Sequence, residues 1–205
     1  QARIPQGGKI WEVGCAYGFF LKMASERYDA RGSDVTADAV RHAQTQTGVN
    51  AKLGDFLDLD AQSTGTDLDA VCLWDTLEHL PHPVKTIQKA AGLLKPGGYV
   101  FLTTGDVGSV LARIRKDKWR LIHPPTHLYY FTRQTLARMF ESAGLEVETS
   151  KHVGYLRSYR SMVDQIARNK KAPALFKAMT LGGRVDFPVY LNTHDILLAV
   201  ARKPL

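Results

Sequence analysis

A chain of 205 residues suits one domain with a single core and room for an insertion. With 44% hydrophobic and 23% charged residues its composition is that of a globular protein, which excludes a disordered chain. No apolar run approaches the roughly 20 residues that cross a bilayer. The formal net charge of +7 leaves nucleic acid, an anionic substrate or a membrane surface open as partners, beside the plain reading of an unevenly charged solvated face.

The basic residues are clustered. Arg113, Arg115, Lys116, Lys118 and Arg120 form one group, and Arg157, Arg160, Arg168, Lys170 and Lys171 another. The two cysteines, Cys15 and Cys72, fall in segments that read as buried, so a disulfide scaffold is not expected and a reducing cytoplasm is.

Strands and helices alternate along the chain. Lys9 to Val13 reads as a first strand ending at Gly14. Phe19 to Arg27 has helical spacing, with Phe19, Phe20, Met23 and Ala24 on one face. Ala30 to Asp34 is a second strand, and Thr36 is placed to cap the helix that follows. Ala51 to Asp55 is a third. Leu68 to Trp74 is a continuous apolar run, as expected of a strand buried on both faces. Val84 to Leu94 reads as an amphipathic helix stopped by Pro96-Gly97-Gly98, and Tyr99 to Thr103 as the fifth strand. Residues 106–131 form a long irregular stretch, a length uncommon in a loop without a function. Thr132 caps a helix to about Ala143, Leu145 to His152 is a sixth strand, and Asp195 to Arg202 is the last. Residues 155–188 show two helical patterns around Pro173.

This alternation predicts a single α/β domain over 1–205. Its sheet is Rossmann-like, doubly wound, mostly parallel and seven-stranded, with an antiparallel last strand and a helical insertion before it. Ligands of such sheets sit beyond the carboxyl ends of the strands, and Gly14, Asp34, Asp55 and Asp75 stand there. The first strand starts at Lys9, where a helix usually precedes it, so a piece of a longer protein is expected.

Four segments carry the chemistry. Glu12-Val13-Gly14-Cys15-Ala16-Tyr17-Gly18 is a glycine turn that lets a ligand approach the backbone. Asp34 offers a carboxylate to two ribose hydroxyls, or else caps the next helix. In Gly54-Asp55-Phe56, the carboxylate suits an adenine amino group and the ring suits its face. Trp74-Asp75-Thr76-Leu77-Glu78-His79-Leu80 ends the fourth strand, beside the first, where transfer chemistry would be lined.

Taken together these segments resemble the class I S-adenosylmethionine (SAM)-dependent methyltransferases, and Leu93-Leu94-Lys95-Pro96-Gly97-Gly98 resembles their turn before strand five. Ala16 departs from the glycine that many members carry. The resemblance implies SAM as cofactor. It also implies cofactor contacts from Glu12, Gly14, Cys15, Ala16, Tyr17, Gly18, Asp34, Val35, Asp55, Phe56, Trp74, Asp75 and Leu77. The segment from His123 to Thr132 is similar to a subgroup that modifies sugars and other small metabolites, so a hydroxyl oxygen on such a molecule is the expected methyl acceptor.

Deprotonating a hydroxyl calls for a general base, for which histidine suits. The candidates, in order, are His127, His123 and His79. His123 and His127 have the i, i+4 spacing of a metal pair, but Pro124 and Pro125 break a helix and no cysteine or carboxylate is seen to complete a site, so no metal is expected. Trp119, Tyr129 and Tyr130 are expected either to wall the methyl acceptor or to pack in the core, and Tyr155 to Leu181 to form a lid or a contact.

Three rival functions remain in view. A nicotinamide-dependent oxidoreductase would need glycine where Ala16 and Phe19 stand. A nucleic-acid methyltransferase would carry an N/D-P-P-Y/F tetrapeptide where Asp75-Thr76-Leu77-Glu78 stands. A non-catalytic SAM-binding module is compatible with every motif.

Overall fold

A computed structural model describes residues 3–169, 173–180 and 184–205. Lys170, Lys171 and Leu181, which belong to segments discussed above, lie outside the described residues.

Seven strands form the main sheet: β1 (Lys9–Val13), β2 (Asp29–Asp34), β3 (Asn50–Leu53), β4 (Leu68–Trp74), β5 (Leu94–Gly105), β6 (Glu146–His152) and β9 (Ile196–Arg202), where β7 (Tyr155–Ser158) and β8 (Pro188–Leu191) form a separate antiparallel ribbon. The order is β3-β2-β1-β4-β5-β9-β6. The pairs among β1 to β5 are parallel, and β9 runs antiparallel to both β5 and β6. The doubly wound sheet with one reversed strand is therefore present as expected.

Helices α1 (Phe19–Ala24), α2 (Ala37–His42), α3 (Ala61–Thr64), α4 (Pro83–Leu93), α5 (Val110–Arg115), α6 (Arg133–Ser142), α7 (Tyr159–Asn169) and α8 (Pro173–Thr180) accompany the strands, with short helical turns at Ala43–Thr47, Leu77–His79 and Lys116–Lys118. The larger core lies on one face of the sheet, where Trp11, Val71, Leu73 and Leu102 meet Ile87 of α4 and Leu136 and Phe140 of α6. Fully burying side chains of this size stabilises by roughly 1.5–3 kcal/mol each. A second cluster of Leu21, Ala24, Val40 and Ala51 seats α1 and α2. The central strand β4 is buried along nearly its whole length, matching its unbroken apolar sequence.

Several boundaries differ from the sequence reading. Helix α1 stops at Ala24, because Arg27 and Tyr28 both donate to the Ala24 carbonyl and turn the chain into β2. Pro96-Gly97-Gly98 lies inside β5; Gly97 (φ +79°) donates its N–H to the Lys203 carbonyl there. The Thr36 hydroxyl caps nothing, whereas Thr132 caps α6 through a reciprocal pair with Thr135. The insertion is not purely helical, since Tyr155–Ser158 pairs with Pro188–Leu191 in the β7–β8 ribbon.

Candidate functional site

The ends of β1, β2, β3 and β4 open onto one cavity of about 630 Å³, within the range of small-molecule sites. Its floor is the turn after β1. Gly14 has φ +73°, and a Cβ there would lie 2.6 Å from Thr76 Cγ2, so only glycine fits. The N–H groups of Gly14 and Cys15 donate to the Ser33 carbonyl, which ties the turn to β2.

Asp34 closes this side. Its Oδ2 accepts from the Ala16 N–H at 2.9 Å and its Oδ1 from the Thr36 N–H at 2.8 Å. Two backbone donors therefore fix the carboxylate plane. Each oxygen keeps a further lone pair for a ligand donor. Ala16 reaches this position with φ +43°, a left-handed conformation that costs a non-glycine residue roughly 1–2 kcal/mol. Across the cavity, Asp55 Oδ1 accepts from the Leu57 N–H at 2.8 Å, and Phe56 follows it in the chain with the Lys89 ammonium 5.1 Å from its ring.

Three buried polar atoms at this end of the sheet have no hydrogen-bond partner: Ser33 Oγ and Trp74 Nε1, both from lining residues, and Glu12 Oε2, next to Val13. Unpaired buried groups are expensive, and a ligand that supplies donors and acceptors removes that cost. Burial, reinforced by the charge of Asp34, pushes the Glu12 carboxyl up to about 8. A cationic ligand would favour its ionised form. The glycine cradle, the paired lone pairs of Asp34 and these orphaned atoms fit a nucleoside joined to an amino acid.

Beyond β4 the chain turns sharply. Asp75 has φ +49° and donates its N–H to the carbonyl and Oγ1 of Thr103. His79 lines the cavity mouth, and its Nδ1 bonds the Thr126 carbonyl at 2.8 Å. The long loop folds back here, where Leu128 and Tyr129 donate their N–H groups to the Glu78 carbonyl. His127 Nδ1 bonds the Leu121 carbonyl at 2.8 Å, and the His127 ring stands edge-on to His79 with centroids 4.6 Å apart. Burial, then the neighbouring His79, holds the His127 imidazolium below its ordinary range. His123 is 5.8 Å from His127, centroid to centroid, with its Nδ1 bound to Thr126 Oγ1.

Of the expected cofactor residues, Gly14, Ala16, Asp34, Val35, Asp55, Phe56, Trp74 and Asp75 line the cavity. Others do not. Leu77 is wholly buried in the core beside Ile87. Cys15 packs into the second core. Tyr17 is half exposed and leans on the His42 ring at 5.1 Å. Gly18 serves helix packing, as a Cβ there would meet Val49 Cγ2 at 2.7 Å. His123 and His127 stand behind His79 and outside the cavity lining. Trp119 is buried and donates to Asp195 Oδ2 at 2.8 Å, so it belongs to the core rather than to an aromatic wall.

Residues not anticipated at the cavity include Ser33, Pro81 and Thr86. Glu78, His79 and His127 each present a ligand atom within 4.8 Å of the others. The Asp-x-x-Glu-His spacing placed two of them together; only the fold adds the third.

A glycine turn after β1, an acidic residue closing β2 and a reversed strand in a seven-stranded sheet define a class I SAM-dependent methyltransferase fold. The chain belongs to the family described as "Methyltransferase domain", which matches residues 1–150. It is similar to the ubiquinone biosynthesis O-methyltransferases of Thiobacillus denitrificans (30% identity over 158 residues, covering 71% of this chain and 68% of the relative) and Xanthomonas axonopodis (32% over 160 residues, covering 70% and 65%). The match thus spans about two thirds of the length of these relatives. In three dimensions it is similar to a SAM-dependent methyltransferase from Archaeoglobus fulgidus, with a TM-score of 0.66, 17% identity and coverage of 97% of this chain and 88% of that one, which shows the shared fold. Among the described residues no helix is long and apolar enough to cross a membrane.

Proposed function

We propose that the chain binds SAM in the cavity between Gly14, Asp34 and Asp55 and transfers its methyl group to a hydroxyl oxygen of a small molecule. The observation that carries this reading is the Asp34 carboxylate, held by two backbone N–H groups beside a turn that tolerates only glycine. In this reading the free lone pairs of Asp34 accept the ribose hydroxyls, Asp55 accepts from the adenine amino group, and Phe56 covers the ring. Glu12, Ser33 and the turn receive the amino-acid end. SAM supplies a methyl group already activated by its sulfonium.

What remains for the protein is to hold the methyl acceptor in line and to favour loss of its proton. His79 and His127 each donate through Nδ1 to a backbone carbonyl, which leaves Nε2 of each ring to face other groups, His79 at the cavity mouth and His127 behind it. These two histidines act on the hydroxyl, and His123, bonded to Thr126, orients the loop. Residues 106–131 and the insertion at 155–188 form the methyl-acceptor side. The similarity to O-methyltransferases supports oxygen as the methylated atom, while the sugar or related metabolite rests on the His123 to Thr132 segment.

Calorimetry with SAM or its demethylated product S-adenosylhomocysteine, followed by radiolabelled methyl transfer to a panel of phenolic and sugar hydroxyls, tests the reading. One-to-one binding and label in an ether product support it. Binding without transfer to any hydroxyl points to a non-catalytic module, and preference for a nicotinamide dinucleotide overturns it.

A further inference from the structure

We propose that Glu78, His79 and His127 bind one divalent transition-metal cation at the mouth of the cavity. As a route to acceptor activation it rests on the methyl-transfer reading; as a binding site it stands apart from it.

The donor set is the first observation. Two imidazoles and one carboxylate, all within 4.8 Å of each other, make the two-histidine, one-carboxylate arrangement that holds zinc or iron(II) with positions left open. The second is the tautomer. His79 Nδ1 bonds the Thr126 carbonyl and His127 Nδ1 bonds the Leu121 carbonyl, each at 2.8 Å. A carbonyl can only accept, so each Nδ1 carries a proton, and the lone pair of the neutral ring is on Nε2. Metal-bound histidines are oriented in this way, through the other ring nitrogen.

The third observation is that the carboxylate is fixed as well. Glu78 is buried, and its Oε2 accepts from Thr104 Oγ1 at 2.9 Å. Its backbone carbonyl accepts from Leu128 and Tyr129, which clamps the loop bearing His127 onto the turn bearing His79. Two imidazole lone pairs and a buried acid converge with no cationic side chain in the group, and this is the environment a cation stabilises. Ligand bonds of about 2.0–2.2 Å place donors about 3–4 Å apart. The present spacing reaches at most 4.8 Å, so a bound cation would draw the three donors closer together.

His79 lines the cavity, so a cation here would face a methyl acceptor. Its charge would favour the deprotonated hydroxyl. The acceptor proton leaves to water, the oxygen lone pair forms the O–CH3 bond, and the C–S pair returns to sulfur, leaving a neutral thioether. Two imidazoles favour zinc, cobalt or iron(II) over magnesium.

The test is calorimetric titration of tag-free protein with ZnCl2 and with MgCl2, and the visible absorption spectrum with CoCl2. One zinc per chain is expected, with magnesium far weaker. His127→Ala and His79→Ala should each weaken zinc about tenfold or more and remove the cobalt bands. His82→Ala, at an exposed histidine outside the group, should leave both unchanged. Glu78→Gln is read together with its melting curve, because that side chain is buried. Zinc binding that survives both histidine variants, or no cobalt spectrum in the unaltered protein, overturns the proposal. Titration with S-adenosylhomocysteine separates the outcomes: a protein that binds the cofactor product but takes up no zinc defeats the metal site alone, whereas one that takes up zinc but no cofactor product defeats the methyl-transfer reading and leaves the site.

Discussion

The carboxylate of Asp34, at the end of β2, accepts the N–H of Ala16, from the turn after β1, at 2.9 Å. One residue thus shapes the turn and presents the group that a ribose would meet. Asp34→Ala removes both functions. A hydrogen bond to a charged group contributes roughly 1.5–3 kcal/mol, so S-adenosylhomocysteine affinity should fall by about tenfold to a hundredfold in calorimetry. Asp34→Asn should keep one acceptor oxygen and lose less.

Gly14→Ala should destabilise the fold as well as close the cavity floor. The new Cβ would lie 2.6 Å from Thr76 Cγ2, at a φ of +73°. Overpacking costs typically 1–3 kcal/mol and the left-handed backbone roughly 1–2 kcal/mol more. Denaturant unfolding should show a lower midpoint. Adding Thr76→Ala should recover the overpacking part only, because the backbone strain persists.

Glu12 links pH to stability. Its carboxyl is pushed up from 4.5 to about 8 in the folded chain, first by burial and then by Asp34. The folded state therefore holds a proton that the unfolded state has lost between those values. Stability from this group is complete below about 4.5 and is lost as pH rises toward about 8, by an amount on the order of a few kcal/mol. Glu12→Gln should flatten the fall in melting temperature across that window. If the cofactor's cationic amino-acid end sits by Glu12, binding at neutral pH should release a proton, visible as a dependence of the calorimetric heat on the buffer's ionisation enthalpy.

Asp195, fully buried before β9, accepts from Trp119 Nε1, Arg120 and Thr193. Burial opposes its charge, yet these donors outweigh burial and hold the carboxyl below its usual range. Trp119 and Arg120 lead directly into Leu121, whose carbonyl orients His127. Asp195→Asn should therefore lower kcat through the loop, with S-adenosylhomocysteine affinity near that of the unaltered chain. It should also lower stability by about 1–3 kcal/mol, measured by denaturant unfolding.

His127→Ala should cut kcat about a hundredfold or more while changing S-adenosylhomocysteine affinity less than about threefold, since His127 stands outside the cofactor cavity. Steady-state kinetics beside calorimetry separates the two. Unchanged turnover removes His127 from the mechanism.

What the sequence made legible follows from periodicity. Parallel alternation places every strand's carboxyl end on one side, so Gly14, Asp34, Asp55 and Asp75 were found from their positions alone. What it hid depends on the direction of single side chains. Leu77 and His79 sit in the same short turn, yet one enters the core and the other the cavity. Tyr155–Ser158 lies next to a helix and is too short for its two-residue period to be distinguished from helical spacing, so its partner Pro188–Leu191 was needed to reveal a strand. Glu78 is separated from His127 by 48 further residues or so in sequence, and only the loop's return onto the Glu78 carbonyl joins them.

Calorimetric titration of the protein with S-adenosylhomocysteine bears most directly on the cavity's identity. One equivalent should bind with measurable heat, and Asp34→Ala should weaken that binding by at least about tenfold. Absence of heat with the unaltered chain, or affinity indifferent to Asp34, would mean that the space between Gly14 and Asp55 is not a cofactor site.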